Sequence, residues 1–179
     1  GGTDLLVLLR AKKVATKYLI DVKDIPELNG IIETDSSISI GSVSRFIDIQ
    51  NSLLIKKWAS SLCQASSQVG SVQIRFKGTL GGNIQNASPA GDGLIAALAL
   101  DAQVELMTAN GERRLPLTEF ILAPRRTAIL PGEVISKIYM PKRKWSYQNF
   151  FKVGRRNALA ISVVNGVVAI DVDGNGIIK

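Results

Sequence analysis

Apolar residues recur along this chain at two periods, and each change of period marks a boundary between elements. Gly1-Gly2-Thr3 followed by Asp4-Leu5-Leu6-Val7-Leu8-Leu9-Arg10 predicts a turn running into a short apolar helix. Lys17–Val22 predicts a strand, Asp24-Ile25-Pro26-Glu27-Leu28 a turn leading toward Gly30–Thr34, and Ser37–Ile40 a further strand. Val43–Ile49 and Leu53–Ser66 then take helical spacing, with Ser42 and Ser52 as N-caps, before Ser71–Lys77 alternates again. Leu94–Asp101 predicts a helix. Gln103–Thr108 and Glu112–Leu117 flank Ala109-Asn110-Gly111, and an Asn-Gly turn between alternating runs is a strong hairpin signal. Glu133–Met140, Ser146–Val153 and Ala160–Asp171 supply three more strands ahead of Asp173-Gly174-Asn175-Gly176. Helices and strands alternate up to Asp101, strands alone follow, and no internal repeat occurs.

The segment that periodicity does not explain is Thr79-Leu80-Gly81-Gly82-Asn83-Ile84-Gln85-Asn86-Ala87-Ser88-Pro89-Ala90-Gly91-Asp92. Adjacent glycines reach backbone angles closed to other residues and carry no Cβ, so successive N–H groups can face one concavity and accept an anion. Thr79, Asn83, Asn86 and Ser88 add small donors, and Asp92 can accept from a ribose or ribitol hydroxyl. With Gly1-Gly2-Thr3-Asp4-Leu5 as a second loop, the pattern points to a diphosphate-containing nucleotide. It is neither a Rossmann nor a Walker site: no G-x-G-x-x-G follows a strand and no G-x-x-x-x-G-K-[ST] occurs.

Composition narrows the chemistry further. A chain of 179 residues with 46% hydrophobic content can bury a core as one domain with room for two lobes, and its net charge of +7 favours anionic ligands or acidic partner surfaces. With no histidine, the commonest general base and metal ligand are missing, so hydrolytic nucleophile pairs are excluded. The single cysteine, Cys63, reads as a small hydrophobe inside a helix; one thiol can hold neither an iron–sulfur cluster nor a structural zinc. No apolar run approaches the roughly 20 residues needed to span a bilayer, and no signal peptide is visible, so a cytoplasmic location is expected. A chain opening inside a phosphate loop also leads us to expect residues upstream of Gly1.

TLGGNIQNASPAGD, GGTDLLVLLR, Pro131-Gly132-Glu133-Val134-Ile135 and Phe150-Phe151-Lys152-Val153-Gly154-Arg155-Arg156 occur in the order of one family. The chain resembles the FAD-binding subunit or domain of the molybdenum hydroxylases, the xanthine dehydrogenase and carbon monoxide dehydrogenase group. The resemblance implies an α+β, PCMH-type (vanillyl-alcohol-oxidase-like) fold. Residues 1–25 would be the remainder of a small N-terminal α/β lobe, and residues 26–179 a larger lobe with an antiparallel sheet and flanking helices; a C-terminal domain usual in the family is not seen after Lys179. It implies noncovalent FAD, with pyrophosphate contacts on Gly1, Gly2, Thr3, Asp4 and Leu5 and on Thr79, Leu80, Gly81, Gly82 and Asn83. Asp92 matches a contact to sugar or ribitol hydroxyls, Ile135 an apolar position packing on the flavin nucleotide, and Lys152 a further cofactor contact.

Each of these has a plainer reading. Gly-Gly pairs often mark tight turns, Ile135 fits an ordinary sheet core, and Lys152 beside Arg155 and Arg156 fits a solvated basic face, with the two arginines free to meet a partner subunit. One departure from some family members is that Ser66–Ser71 lacks an aromatic to stack on adenine; Val69 stands nearest that place. The resemblance also implies a division of labour. A molybdopterin-binding large subunit and a 2Fe-2S small subunit would carry those centres, and electrons would pass through FAD to NAD+ or another acceptor.

Four other readings compete. Asp171-Val172-Asp173-Gly174-Asn175-Gly176 matches the opening of an EF-hand loop, but an apolar β-like segment precedes it and a hairpin turn explains it better. Basic clusters at Arg113-Arg114, Arg125-Arg126, Lys142-Arg143-Lys144 and Arg155-Arg156 raise nucleic-acid binding, yet few aromatics interleave with them and no recognition motif occurs. A self-sufficient FAD oxidoreductase of the same fold, such as the UDP-N-acetylenolpyruvoylglucosamine reductase type, and a cofactor-free assembly subunit remain alternatives.

Overall fold

The computed structural model describes residues 1–156 and 159–178. Its centre is a five-stranded antiparallel sheet in the order β1-β2-β7-β3-β4, built from β1 (Ile31–Glu33), β2 (Ser37–Gly41), β3 (Gln103–Thr108), β4 (Gly111–Pro116) and β7 (Val134–Pro141). The Asn110-Gly111 turn joins β3 to β4 as the sequence predicts, pairing Thr108 with Gly111 and Gln103 with Pro116. β2 and β3 flank β7 on its two edges, so Ile40 and Val104 both pair with Ile138. Alternation then sends Ile38, Ile40, Val104, Leu106, Ile138 and Met140 into the core, each at most 2% exposed. Every such side chain contributes about 1.5–3 kcal/mol of burial.

Helices cover that face: α2 (Phe46–Asn51), α3 (Leu53–Trp58), α4 (Ser60–Ser67), α6 (Leu80–Asn86) and α7 (Asp92–Ala99). Phe46, Ile49, Ile55, Leu62, Leu80, Ile84 and Leu94 join the sheet residues in one apolar cluster. Ser52 caps α3 by accepting from the Ile55 N–H at 3.3 Å. The expected Ser42 cap is not formed. α2 begins at Phe46, where the Asp48 carboxylate takes the Arg45 N–H, and Ser42 lies in the turn after β2. The single helix expected over 53–66 is two, because Ala59 leaves helical geometry at φ −140° and ψ 53°.

Two strand expectations fail. Ser71–Lys77 contains a short helix, α5 (Val72–Arg75), because the Ser71 hydroxyl accepts from the Ile74 N–H and commits the backbone to a turn. Among the described residues no strand pairs with Lys17–Val22 to complete a ladder; Tyr18 and Ile20 are 85% and 88% exposed. The expected first helix does form, as α1 (Leu5–Arg10), although none of its residues is buried.

Between β4 and β7, β5 (Ile121–Ala123) and β6 (Arg126–Thr127) form a small ladder of their own, and after the sheet β8 (Tyr147–Gly154) and β9 (Ser162–Ile170) make a separate hairpin that packs on α4 and α7. Beyond it, Asp173 Oδ1 accepts the N–H groups of Asn175 and Ile177, and Val172 bridges to Ile178. The Asp-Gly-Asn-Gly stretch is therefore a turn, and among the described residues no cluster of acidic or sulfur ligands suits a metal ion. No helix among them is long and apolar enough to cross a membrane.

Candidate functional site

A cavity of about 450 Å³ opens between the N-terminal segment and the start of α6. Gly1, Gly2, Thr3, Asp4 and Leu5 form one wall, and Thr79, Gly82 and Asn83 form the other. With Asn86, which lines the same wall, nine of the residues singled out from sequence, in two groups more than seventy positions apart in the chain, therefore meet. Leu8, Phe46, Val69 and Ile74 give the cavity an apolar lining, and no lysine or arginine contributes to it. The net positive charge of the chain resides elsewhere.

The two walls hold their backbones differently. Among the described residues, the N–H groups of Gly2, Thr3, Asp4 and Leu5 donate to no protein acceptor, and Gly2 adopts φ +74°. Gly1 lies so close to Lys77 that a Cβ would fall 1.9 Å from its carbonyl oxygen. This wall has both the free donors and the close approach that an anion needs.

The α6 wall departs from the expected nest. Gly81 and Gly82 are helical, not left-handed, and their donors are already taken. Leu80 and Gly81 donate to the Ser44 and Ser42 carbonyls, while Gly82 donates to Thr79 Oγ1 at 3.1 Å. The glycines supply space instead. A Cβ on Gly81 would stand 2.6 Å from the Ser42 oxygen, so α6 can sit directly on the β2 turn only with glycine there; Gly82 is exposed on the cavity side. Leu80 and Gly81 are buried and do not line the cavity.

Asn83 has a second role, and the expected residues Ser88, Asp92, Ile135 and Lys152 lie outside the cavity. Asn83 both lines the cavity and accepts the Leu94 N–H at 2.8 Å, capping the first turn of α7. Ser88 serves a turn, its hydroxyl taking the Ala90 N–H. Ile135 is 8% exposed within the core cluster, as its plain reading anticipated. Asp92 opens α7 and is bound 2.6 Å from Lys152 Nζ, with both side chains more than nine-tenths buried. Lys152 also donates to the Gln68 carbonyl and lines a second cavity of about 750 Å³ beside Arg75 and Arg156, so it is no solvated face.

Residues the sequence reading missed include Leu8, Phe46, Ile74 and Gln85 on the cavity wall. Their apolar spacing marked Leu8 and Phe46 as helix positions, and nothing in one sequence says which helix face borders a cavity. Asn165 was missed as well; its amide reaches Asp92 Oδ1 at 2.9 Å.

Residues 1–143 match the family model described as the FAD binding domain in molybdopterin dehydrogenase. The nicotinate dehydrogenase FAD-subunit of Eubacterium barkeri is 38% identical over 99% of this chain and 61% of its own length. The glyceraldehyde dehydrogenase medium chain of Sulfolobus acidocaldarius is 30% identical over 99% of this chain and 63% of its own. In structure, carbon monoxide dehydrogenase from Hydrogenophaga pseudoflava lacking the Mo-pyranopterin moiety of its cofactor superposes with a TM-score of 0.93 at 26% identity, over 99% of this chain and 62% of that one. The chain thus spans about three fifths of these relatives. Its antiparallel sheet with flanking helices is the PCMH-type architecture the sequence implied, and the chain belongs to the FAD-binding domain family of the molybdopterin dehydrogenases.

Proposed function

We propose that this chain is the flavin-holding, electron-transferring component of a molybdenum-containing hydroxylase or dehydrogenase. It stands between iron–sulfur clusters on a small partner subunit and NAD+ or another acceptor, within a cytoplasmic complex whose molybdopterin-bearing large subunit selects the substrate. FAD, when bound, supplies the redox chemistry. The chain's own residues bind and orient it. No side chain here need transfer a proton.

The observation that carries this reading is the cavity between Gly1–Leu5 and Thr79–Asn83, with unengaged backbone donors on one side and glycine-made clearance on the other. In this reading the diphosphate lies against the N–H groups of Gly2, Thr3, Asp4 and Leu5 and the Thr79 hydroxyl, whose proton stays free while its oxygen accepts from Gly82. Val69 and Ile74 supply an apolar, non-aromatic surface where adenine would rest. Asp92 answers a sugar or ribitol hydroxyl, Lys152 backs it, and Ile135 and Ser88 stand behind the contact layer. Residues 1–25 then act as the small-lobe wall and residues 26–179 as the large-lobe wall.

Gentle purification followed by a visible absorption spectrum and mass identification of the released cofactor tests it. Bands at about 375 and about 450 nm with FAD released are expected. A colourless protein that takes up no FAD on titration overturns the proposal.

A further inference from the structure

We propose that Asn165 is a positioning residue for the cofactor: with Lys152 it clamps the Asp92 carboxylate into one orientation, leaving a lone pair for a cofactor hydroxyl. The inference rests on the reading of Asp92 given above.

The argument starts from an anomaly in the sequence. Val163-Val164-Asn165-Gly166-Val167-Val168 is a β-branched strand interrupted by asparagine, a residue type depleted from strands. In the structure Asn165 and Lys152 are direct cross-strand partners on β9 and β8. Side chains on a directly opposed pair point to the same face, so one rung of the hairpin delivers an amide and an ammonium group to the same place. That place is Asp92. Lys152 Nζ donates to Oδ2 at 2.6 Å, Asn165 Nδ2 donates to Oδ1 at 2.9 Å, and Ser162 Oγ stands 3.5 Å from Oδ1.

A carboxylate buried to 5% exposure must be satisfied by partners, and two donors on its two oxygens fix the carboxylate plane. A carboxylate offers about four lone-pair sites, so the clamp leaves capacity for a ligand hydroxyl. Lys152 alone fixes one oxygen and permits rotation. Asn165 removes that freedom. The hairpin bearing both groups lies beyond residues 1–143 that match the family model, so a segment outside that match completes the geometry of one inside it.

FAD affinity, read by quenching of flavin fluorescence on titration into the purified protein, tests this in a double-mutant cycle. Asn165→Ala is expected to weaken FAD binding about tenfold, the effect of losing a hydrogen bond to a charged group. Asn165→Asp keeps the shape but turns an acceptor toward Asp92, and is expected to lose at least as much. In the Asp92→Asn background, Asn165→Ala should add nothing, since its effect runs through Asp92. Val163→Ala, on the same strand but exposed, should leave affinity unchanged and so reports general loosening of the hairpin. Wild-type affinity in Asn165→Asp or Asn165→Ala, or full additivity with Asp92→Asn, overturns the proposal. If Asp92→Asn itself binds FAD normally, the reading of Asp92 as a contact has failed, which is a separate result.

Discussion

The two walls of the cavity carry nearly the same sequence signature, Gly-Gly followed by a small polar residue, and use it for opposite physical ends. In Gly1–Leu5 a left-handed glycine frees backbone donors in a segment with no buried residue. In Leu80–Asn83 the glycines are helical, their donors are spent inside the fold, and what they contribute is the absence of a side chain. A glycine pair therefore says that a Cβ is intolerable without saying whether angle or space is the reason. Only the neighbours decide. One wall leaves its donors free, the other spends them inside the fold, and the cavity lies between the two.

The contrast is broken most severely at Gly81. Gly81→Ala puts a methyl group 2.6 Å from the Ser42 oxygen and 2.7 Å from its Cβ, and the β2 turn has no room to retreat. Overpacking of this kind costs about 3 kcal/mol, so the urea midpoint should fall sharply and little folded protein should be recovered. A normal midpoint would mean that α6 does not rest on β2 as described. One residue later the outcome inverts. A Cβ on Gly82 meets only Thr79 Oγ1, at 3.0 Å, and leaves the core untouched. Gly82→Leu should keep its midpoint, helped by up to about 1 kcal/mol of helix propensity, yet lose FAD affinity by roughly a hundredfold. Retained flavin in that variant would remove the cavity from the binding site.

On the other wall the expected effects are smaller and confined to the ligand. Gly2→Ala must hold φ +74° with a Cβ and pushes against Leu6 Cδ1 at 3.2 Å, a strain of about 1 kcal/mol. Because α1 buries nothing, global stability should not change, whereas FAD binding should weaken by about fivefold to tenfold. Amide exchange gives the same division without mutation. The N–H groups of Gly2 to Leu5 should exchange quickly in the cofactor-free protein and those of Leu80 to Gly82 slowly.

How much of this was legible beforehand follows the same line. The sheet strands could be read because each carries its core face in its own alternation, and the Asn-Gly turn fixed one register outright. The cavity residues singled out within the two glycine motifs could be read as a set because each motif is contiguous, whereas Leu8, Phe46, Ile74 and Gln85 could not. Two kinds of information were not local. Lys17–Val22 has strand alternation but no neighbour to pair with, and Val72–Arg75 is turned into a helix by one serine hydroxyl, so partners and caps overrode pattern. Likewise the roles of Asp92, Lys152 and Asn165 are set by a meeting of α7 with a hairpin some sixty to seventy positions away. No window on the sequence contains both.

The smallest effect we expect on FAD affinity tests whether the rigid wall owes its rigidity to the sheet. Glu105 on β3 is 3% exposed and receives Ser136 Oγ at 2.7 Å, Tyr139 at 2.9 Å and Arg114 at 3.0 Å. Burial by itself pushes its carboxyl pKa up, but the hydrogen bonds from Ser136, Arg114 and Tyr139, with the charge of Lys137, outweigh burial and hold it below the ordinary value. The same Ser136 gives its carbonyl to the Ser42 N–H, and the Ser42 carbonyl takes the Gly81 N–H, so a continuous hydrogen-bonded path joins Glu105 to α6. A carboxyl with a folded pKa below its unfolded one binds its proton less readily when folded. Its contribution to stability is therefore whole above the unfolded pKa and disappears as the pH falls through the folded one. Glu105→Gln should lose about 2 kcal/mol at neutral pH, with only a few-fold loss of FAD affinity, and its stability should depend less steeply on pH in the acid range than that of the parent. Exchange at Gly81 should quicken in the variant while the N–H groups of Gly2 to Leu5 stay as they were. Equal changes on both walls would show that they are one mechanical unit and that the contrast between them is only one of hydrogen bonding.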